Sequence, residues 1–462
     1  MRFASLREGI RQMTPKLASN QKQTVYFLCI FLLVYGGWHS IAGAQPLQRI
    51  EIPSSFNPLG SGARALGMGG AFIAVADDAT AASWNPGGLV QLERPEMSIV
   101  GAGFYRQEDL DFGTNPEASG TNSVQEARIN YLSATYPFTL GRFNMVVSAN
   151  YQNLYDLTRD WDFILNQSSD GLTVTQDVDY DQDGTLSAWG IAYCIQILPQ
   201  FSFGVTLNFW EDGLYNNKWK QTVVQKGTGI FAGNQFTFES RSQDKFYFSG
   251  FNANLGILWN VTSKLNLGAV FKTPFTADIK RKSSFSSSIR FPDFPTADSS
   301  FSDSTTEHED LDMPMSYGIG LAYRFSDNFT ASFDAYRTEW DDFELKDSEG
   351  NKISPISGLP SSESDVDPTY QLRMGAEYLF IQPKYVLPIR GGVFYDAAPA
   401  EGSPDDYYGF SLGSGIGIGR FIFDLAYQYR FGNNVGSSTL QNLDFSEDVR
   451  EHTIYGSMIF HF

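Results

Sequence analysis

The sequence predicts an all-β protein, a transmembrane antiparallel β-barrel of about 14 strands. Apolar and polar residues alternate with period two in many consecutive runs, as expected for strands with one apolar face. Aromatic residues make up 15% of the chain, and short gaps between runs alternate with long ones. These observations are typical of outer-membrane barrels, in which aromatic girdles border an apolar band and short turns alternate with long loops.

Composition and charge exclude several other classes of protein. The chain has 33 Lys and Arg against 52 Asp and Glu, so it lacks the basic surface that a nucleic-acid-binding protein needs. A mean hydropathy of −0.24 is too polar for a bundle of membrane helices. Four His and two Cys leave little material for a Cys/His metal site.

The first 44 residues are predicted to be a secretory signal peptide. A basic leading stretch is followed by the apolar segment 25–35 and by a small-residue cleavage site at 42–44. An N-terminal membrane anchor is the alternative, although the apolar run is short for a span. Removal of 1–44 leaves Cys194 as the single cysteine, so the exported chain cannot form an intrachain disulfide.

The strand pattern is clearest in three runs. In 201–209 the odd positions are apolar and the even positions are Ser, Gly, Thr and Asn, and 317–325 and 421–431 show a similar alternation. A soluble β-sandwich would show the same alternation with its apolar face turned inward. Aromatic ends on the apolar faces and small polar residues on the opposite faces favour a membrane barrel with a polar lumen.

Fourteen runs are predicted as strands, and an even count places both chain ends on the periplasmic side of an outer membrane. Long segments between alternate pairs are predicted as external loops, the longest being 156–186, 213–245 and 281–312. The predicted strands are 96–106, 127–138, 143–155, 187–198, 201–212, 246–260, 264–280, 313–325, 329–344, 368–381, 385–396, 407–418, 420–432 and 449–462.

The last strand carries a terminal pattern of its own. Ile454, Gly456, Met458, Phe460 and Phe462 share one face. A C-terminal strand that ends in Phe resembles the signal read by the barrel assembly machinery of Gram-negative outer membranes, although an edge strand can also end in Phe by chance. We therefore expect this machinery and the outer-membrane lipids as partners.

Residues 56–92 do not follow the strand pattern, because they are small and rich in Gly and Ala. They contain Gly-Ala-Arg-Ala-Leu-Gly-Met-Gly-Gly-Ala-Phe from Gly62, Ala-Asp-Asp-Ala-Thr-Ala from Ala76 and Trp-Asn-Pro-Gly-Gly-Leu from Trp84. This run resembles the N-terminal hatch of the FadL/TodX (OMPP1) outer-membrane transport family, with Gly in place of the Ala that usually follows the proline. The motif residues are Gly67, Gly69, Gly70, Asp77, Asp78, Asn85, Pro86 and Gly87.

The resemblance implies three parts, a signal peptide at 1–44, a hatch at 45–94 and a barrel at 95–462 whose lumen the hatch plugs. It also implies passive uptake of hydrophobic small molecules, typically long-chain fatty acids or aromatic hydrocarbons, without enzymatic activity. The alternative is a surface protein that binds or shuttles secreted proteins. An apolar pocket joining the outer loops to the hatch would favour transport.

Three basic residues are candidates for ligand binding. Strand parity places Lys272, Arg373 and Arg390 on lumen-facing sides, where a cation could bind a fatty-acid carboxylate. Pairing with lumenal acids such as Asp334 or Glu377 is the alternative. Aromatic residues on the long loops could form a first apolar groove or pack within the loops, and they are Trp219, Phe231, Phe236, Phe238, Phe285, Phe291 and Phe294.

Two further motifs are weaker. The sequence around Ser411 matches the nucleophile elbow Gly-x-Ser-x-Gly, but it lies in a strand-like run with no helix after it, so we expect no catalysis there. Asp179, Asp181 and Asp183 match the first half of a calcium-binding loop, although Gly190 stands where the twelfth-position acid belongs. Calcium in an external loop and a solvated acidic turn are the two interpretations, and no other cofactor is expected.

Overall fold

The structure is a computed structural model that describes residues 59–169, 171–213, 217–231, 233–440 and 443–462. The predicted signal peptide, 1–44, and the first part of the predicted hatch, 45–58, lie outside the described residues. Within the described part, no helix is long and apolar enough to cross a membrane.

The described residues form twenty strands of one antiparallel sheet. They are β1 (Glu96–Phe112), β2 (Gly120–Leu140), β3 (Phe143–Asp156), β4 (Arg159–Ser169), β5 (Leu172–Leu198), β6 (Phe201–Trp210), β7 (Lys218–Phe231), β8 (Asn234–Asn260), β9 (Leu265–Lys272), β10 (Phe275–Arg290), β11 (Ser299–Met313), β12 (Ser316–Arg324), β13 (Phe329–Thr338), β14 (Glu344–Lys346), β15 (Lys352–Ile353), β16 (Thr369–Ile381), β17 (Val386–Asp396), β18 (Tyr407–Ile418), β19 (Phe421–Val435) and β20 (Phe445–His461).

The sheet closes into a barrel of fourteen strand positions, which confirms the predicted fold class. Closure is made by β20, which pairs with β1 from Glu96 opposite His461 to Phe112 opposite Phe445. A closed barrel leaves no unpaired edge inside the membrane, where a free backbone N–H or C=O would find no water.

Two wall positions are each shared by two shorter strands. Pro274 separates β9 from β10, and Pro314 separates β11 from β12. Proline has no N–H to donate, so the ladder of hydrogen bonds stops at both points. Of the remaining strands, β4, β7 and β14 pair with wall strands beyond the barrel itself, and β15 pairs with β14.

The apolar faces of the wall strands point outward, as a membrane barrel requires. In β6, Phe203 is 37% exposed, whereas the neighbouring Ser202 is 2% exposed and faces the lumen. In β12, Ile319 is 66% exposed between the outward rings of Tyr317 and Tyr323. The outward face of a soluble sandwich would be polar, so these exposures decide between the two folds.

The predicted long loops are largely strand, which corrects their boundaries. β5 and β8 each run for 27 residues, far more than the ~10 residues needed to cross a bilayer. Beyond the apolar band, β4, β5, β7, β8, β10 and β11 pair in that order and form what we call the outer sheet. Phe236, Phe238 and Phe291 pack in its core.

The segment 59–92 lies inside the barrel and contains the helices that belong to the predicted hatch. These are α1 (Ala63–Gly67), α2 (Ala81–Trp84) and a 3-10 helix at Pro86–Gln91. Phe72 and Trp84 are buried and meet edge to face at 5.8 Å. Three further 3-10 helices lie in connections, at Pro116–Ala118, Pro295–Ala297 and Trp340–Asp342.

The outer sheet contains a buried carboxylate with an unusual pKa. Glu309 in β11 is nearly buried, and its Oε1 lies 3.5 Å from the Arg281 guanidinium. Burial raises the pKa of Glu309 from 4.5 to about 7, although Arg281 opposes the shift. Because this pKa lies above the unfolded value of 4.5, protonation of Glu309 favours the folded state. Its contribution to the free energy of unfolding is complete below pH 4.5 and is lost as the pH rises through 7.

We therefore expect Glu309→Gln to stabilise the outer sheet at pH 8 by about 1–3 kcal/mol and to change it little at pH 5, because the amide carries no charge to bury. Hydrogen exchange of β10 and β11 at the two pH values measures this. The matched control is Asp310→Asn, at the exposed neighbouring position. Equal protection of Glu309→Gln and the parent at pH 8 would contradict the expectation.

Candidate functional site: the plugged lumen

The hatch lies against the wall so closely that many contacts are made through glycine. The hatch-facing glycines of the wall are Gly204, Gly256, Gly268, Gly318, Gly320, Gly375, Gly392 and Gly413. A Cβ at Gly375 would overlap the main chain of Met68, and one at Gly413 would lie 3.0 Å from the Cα of Gly67. The glycines that interrupt the wall strands thus leave room for the hatch.

The turn after α1 is held by wall side chains. Gly69 and Gly70 adopt φ of +69° and +76°, a region in which other residues are strained. The Ser411 hydroxyl accepts a hydrogen bond from Gly69 N at 2.8 Å and donates one to Gly67 O at 3.1 Å. Ser411 lies within β18, and both hydrogen bonds of its hydroxyl go to the hatch backbone. The serine of the Gly-x-Ser-x-Gly motif therefore has a structural role here.

A second wall carboxylate binds the hatch backbone further along. Oδ2 of Asp334 accepts hydrogen bonds from Phe72 N at 2.6 Å and Ile73 N at 2.8 Å. The Ser332 hydroxyl donates to Ala71 O at 2.7 Å. Backbone groups of an irregular segment inside a barrel need such partners, because the sheet does not pair with them.

The Asn-Pro-Gly-Gly turn is fully buried and hydrogen-bonded. Asn85 has the extended conformation that a following proline favours, with φ −145° and ψ 101°, and Pro86 begins the 3-10 helix. The Asn85 amide nitrogen donates to Ile73 O and to Ile257 O on the wall, both at 2.8 Å. Its Oδ1 accepts from Gly87 N at 3.0 Å. The turn therefore joins two parts of the hatch to β8.

The two acids of the hatch motif differ in role. Asp78 Oδ1 accepts from the backbone N–H and the hydroxyl of Thr80, at 2.8 and 2.6 Å, and holds the entry to α2. Asp77 forms an ion pair with Arg64 on α1. Asp78 also lies 3.7 Å from Arg64, so both acids contact a larger charge network, in which Asp77 is the closer partner of Arg64.

That network crosses from hatch to wall, and we call it the hatch–wall ion chain, comprising Asp77, Arg64, Glu377, Arg390 and Asp424. Arg64 Nη2 lies 2.9 Å from Glu377 Oε1. Arg390 lies 2.6 Å from both Glu377 Oε2 and Asp424 Oδ1. Positive and negative groups alternate, so each buried charge has an opposite neighbour. Removal of one member would leave another uncompensated, which typically costs several kcal/mol.

The three predicted ligand-binding cations have different surroundings. Arg390 is committed to the ion chain, which was the alternative in the sequence analysis. Arg373 is buried, donates to Gly69 O at 3.0 Å and lies 3.5 Å from Asp396. Lys272 ends β9 and is half-buried. Of the three, Arg373 alone lines the lumenal cavity described next.

A cavity of about 140 Å³ lies against the first described residues of the hatch, between β1, β2, β3, β16, β17, β19 and β20. Arg128, Arg373 and Arg430 line it together with the acids Glu126, Asp156, Asp396 and Glu451. Leu59 and Leu66 of the hatch and several aromatic side chains complete the lining. The cavity is thus strongly polar in its middle and apolar on part of its wall.

The predicted apolar pocket between outer loops and hatch is not found in the described part of the chain. There the inward side chains above the cavity pack against one another, with Trp210, Trp219, Phe248 and Trp340 in one cluster. Of the seven aromatic residues predicted on loops, Trp219 belongs to this cluster, and Phe236, Phe238 and Phe291 are core residues of the outer sheet, with Phe231 packed against them. Packing within the loops is therefore the interpretation that fits most of them.

The predicted calcium-binding loop is not a loop. Asp179, Asp181 and Asp183 lie in the middle of β5, so their side chains share one face of an extended strand instead of converging in a turn. Asp183 pairs with Arg128 at 2.9 Å. In the described part, no group of three or more His, Cys, Asp and Glu is placed to hold a metal ion. The loop geometry was wrong because alternate acids fit an exposed strand face equally well.

A second concavity, of about 640 Å³, lies on the outer surface of the wall. Met97, Ile99, Leu132 and Trp189 line it with other apolar side chains of β1, β2, β3, β5, β19 and β20. It is separated from the lumenal cavity by β2 and β3, whose pairing ends at Tyr131 opposite Gln152.

The sequence model of one family, described as outer membrane protein transport protein (OMPP1/FadL/TodX), matches residues 54–439. The chain belongs to this family. The resemblance seen in the hatch motif is thereby confirmed, and the barrel is an outer-membrane barrel.

Solved structures agree on the fold of this FadL/TodX family member. A Pseudomonas aeruginosa FadL homologue is 16% identical with a TM-score of 0.60, and the match covers 88% of this chain and 100% of that chain. The Pseudomonas putida toluene transporter TodX is 13% identical with a TM-score of 0.54, covering 88% of this chain and 99% of that one. A comparison with curated protein sequences finds no match.

Several residues that build the site were not singled out from the sequence. Arg64 lies within the hatch motif, but its role depends on Glu377, which is more than 300 positions away. Asp424 and Arg430 could have been placed on the lumenal face by strand parity. Their partners could not, because Arg390 and Asp396 lie two strands away on β17 and parity does not give the registers between these strands.

Because the hatch lies against Gly392, a single methyl group added at this position should displace the hatch. A Cβ at Gly392 would overlap Gly69 N and the carbonyl carbon of Met68, whereas at Gly391 the nearest atom would be 3.8 Å away. We expect Gly392→Ala to displace the hatch and to raise the flux of small polar solutes into reconstituted vesicles several-fold, because an unplugged barrel of this size admits water. Gly391→Ala should match the parent, and equal flux in both variants would show that the hatch does not seal the lumen here.

Proposed function

We propose that the protein is a channel for passive uptake of hydrophobic small molecules across the outer membrane. The observation that carries this proposal is the seal, a hatch seated on wall glycines and tied to the wall by Asn85, Ser411, Asp334 and the ion chain. Such a plug blocks an aqueous pore, so a porin-like exchange of polar solutes is disfavoured. Family membership and the toluene transporter among the solved relatives support the hydrophobic class.

The route that best suits such a ligand leaves through the side of the barrel. Pairing between β2 and β3 ends at Tyr131 and Gln152, and each strand has a register shift close to that point, against β1 and β5 respectively. The lumenal cavity lies on the inner side of the wall at the end of the β2–β3 pairing, and the apolar concavity lies on the outer side. A molecule that prefers lipid to water would gain free energy by crossing here, because it never re-enters water.

Long-chain fatty acids or aromatic hydrocarbons are the substrates that the family resemblance implies. No catalytic role is assigned to Ser411, whose hydroxyl serves the hatch. The alternative role as a shuttle for secreted proteins would have to use the outer sheet, since a cavity of about 140 Å³ does not admit a protein chain.

For the orientation, we propose that the short turns and both chain ends face the periplasm. We expect cysteine in place of Ser304 on the outer sheet to react with a membrane-impermeant maleimide on intact cells. Cysteine in place of Gly141, in the turn between β2 and β3, should react only after permeabilisation. The native Cys194 is buried and serves as the background. Labelling of Gly141→Cys on intact cells would reverse the orientation.

The transport proposal is tested by uptake. Vesicles with a lipopolysaccharide outer leaflet and the reconstituted protein should take up labelled toluene or laurate faster than the same vesicles with a heat-inactivated barrel, while arabinose uptake stays at background. A tenfold difference in initial rate is expected, since the barrier removed is passage through the polar outer surface. Uptake of arabinose equal to that of toluene would indicate a porin, and uptake of neither would contradict transport.

A further inference from the structure

The end of the barrel that carries the short turns is basic, although the whole chain has a net charge of −19. Six exposed cations lie in or beside these turns and at the entry to β1, and we call them the basic rim: Arg94, Arg142, Lys264, Arg324, Lys384 and Arg420. The exposed acidic groups at this end are Glu93, Asp327 and the carboxylate of Phe462. The described residues thus present an excess of three positive charges there.

The cations of the basic rim are spread around the barrel. In an antiparallel barrel every second connection lies at the same end, and five of the six short turns contain or adjoin one of these cations, the exception being 199–200. Backbone hydrogen bonds join neighbouring turns, from Arg324 N to Lys264 O at 2.8 Å and from His461 N to Arg420 O at 2.9 Å. The rim therefore encircles the end opposite the outer sheet.

These cations have no acidic partner in the part of the chain that the structure describes. Cations at the opposite end are often paired, as Arg450 is with Asp109 at 2.9 Å and Lys352 with Glu344 at 2.6 Å. In the rim, the guanidinium of Arg142 instead lies over the ring of Phe143 at 5.0 Å. The rim cations thus remain available to anions outside the chain.

A row of aromatic rings on the outer surface places the rim at a membrane boundary. Neighbouring centroids in this row are 4.8–6.5 Å apart, and its members are Tyr323, Phe325, Phe329, Tyr378 and Phe380. Aromatic girdles of this kind mark the boundary between hydrocarbon and headgroups. Because Arg324 lies between two members of the row in sequence, its charge is at the level of the headgroups.

We propose that the basic rim binds anionic phospholipids through their headgroup phosphates. A Lys or Arg near an anionic membrane surface is attracted to it over about a Debye length. An acidic protein would dock on one side of the rim, whereas lipid surrounds the barrel as these cations do. The inference goes beyond uptake, and it rests on the proposed orientation only for naming the leaflet, the one that faces the periplasm.

The sharpest test is at Lys264 and Arg324, whose turns are joined by the 2.8 Å hydrogen bond. Trp259 lies near the end of β8, close to Lys264, and is exposed on the outer surface. Trp189 is the other exposed tryptophan among the described residues, so it is replaced by Phe in all the proteins compared. Quenching of the Trp259 fluorescence then reports which lipid is next to this part of the rim.

The protein is reconstituted into vesicles that contain brominated phosphatidylglycerol or brominated phosphatidylcholine as the quencher. The ratio of their apparent binding constants measures the preference for the anionic lipid. We expect a ratio of about five at low ionic strength, equivalent to about 1 kcal/mol. The ratio should approach one in 1 M salt, where the Debye length is about 3 Å.

Two double variants separate the rim from the overall charge. Lys264→Gln combined with Arg324→Gln should bring the ratio close to one at low ionic strength. Lys226→Gln combined with Arg241→Gln removes the same two charges from exposed positions of the outer sheet, and it should keep the ratio near five. All four positions are exposed, so the barrel should fold in both variants.

Three outcomes overturn the inference. Equal quenching by both lipids in the parent would leave the rim to an acidic protein. A preference that survives Lys264→Gln with Arg324→Gln would place the lipid site elsewhere, and an equal loss in the control variant would make it an effect of net charge. Because both leaflets of these vesicles have the same composition, the result does not depend on orientation. The transport proposal is decided separately, by uptake of toluene.

Discussion

The closeness of the hatch backbone to the inner wall of the barrel is the constraint on which the rest of the structure depends. A side chain at most hatch-facing glycines would occupy the space of a hatch atom. Dispersion contact of this kind needs complementary shapes over a long stretch. The wall strands must therefore carry glycine where the backbone of the irregular hatch approaches them. The lumen is therefore closed by packing of backbone on backbone, without a bulky plug domain.

Such close approach leaves the hatch without a sheet or long helices of its own to satisfy its peptide groups. The wall supplies the missing partners from Asp334, Ser332 and Ser411, and the side chain of Asn85 adds a hydrogen bond from the hatch to the wall carbonyl of Ile257. The same side of the barrel holds Glu377 and Arg390, which neutralise Arg64. Polar residues on the lumenal faces of the strands thus have a structural use that is independent of any ligand.

The sequence predicts the barrel well because the period-two pattern is a local property of each strand. The outward face of β12 follows from it directly, whereas the register between β1 and β20 does not, because pairing joins two distant segments. Strand ends are less predictable, because β11 contains Ser, Thr and Asp at most positions and has no apolar face outside the membrane band. The loop predicted at Asp179, Asp181 and Asp183 is a strand for a related reason, since acids at alternate positions suit an exposed strand as well as a loop.

The charged residues of the lumen show more clearly what strand parity cannot predict. Parity correctly placed Arg373 and Arg390 inside, but it could not tell which was already neutralised. Arg390 stands directly opposite Glu377 in the β16–β17 ladder, and that register follows from the turn between the two strands. Arg373 stands opposite Phe394 on one side and Asp334 on the other, and its guanidinium covers the Phe394 ring at 4.9 Å, donates to the hatch at Gly69 O and lies 3.5 Å from Asp396.

These arrangements divide the interior into layers with different requirements for a passing molecule. The outermost layer is an apolar cluster with Trp210 and Phe248 in close contact, which a hydrophobic ligand can enter only by separating side chains that now pack together. The next layer is the charged cavity, where a bare hydrocarbon gains nothing from the polar groups. The last layer is the hatch, which holds its place through many buried bonds. The sideways route that we propose between β2 and β3 would avoid that last layer, so passage along it would not break the contacts between hatch and wall.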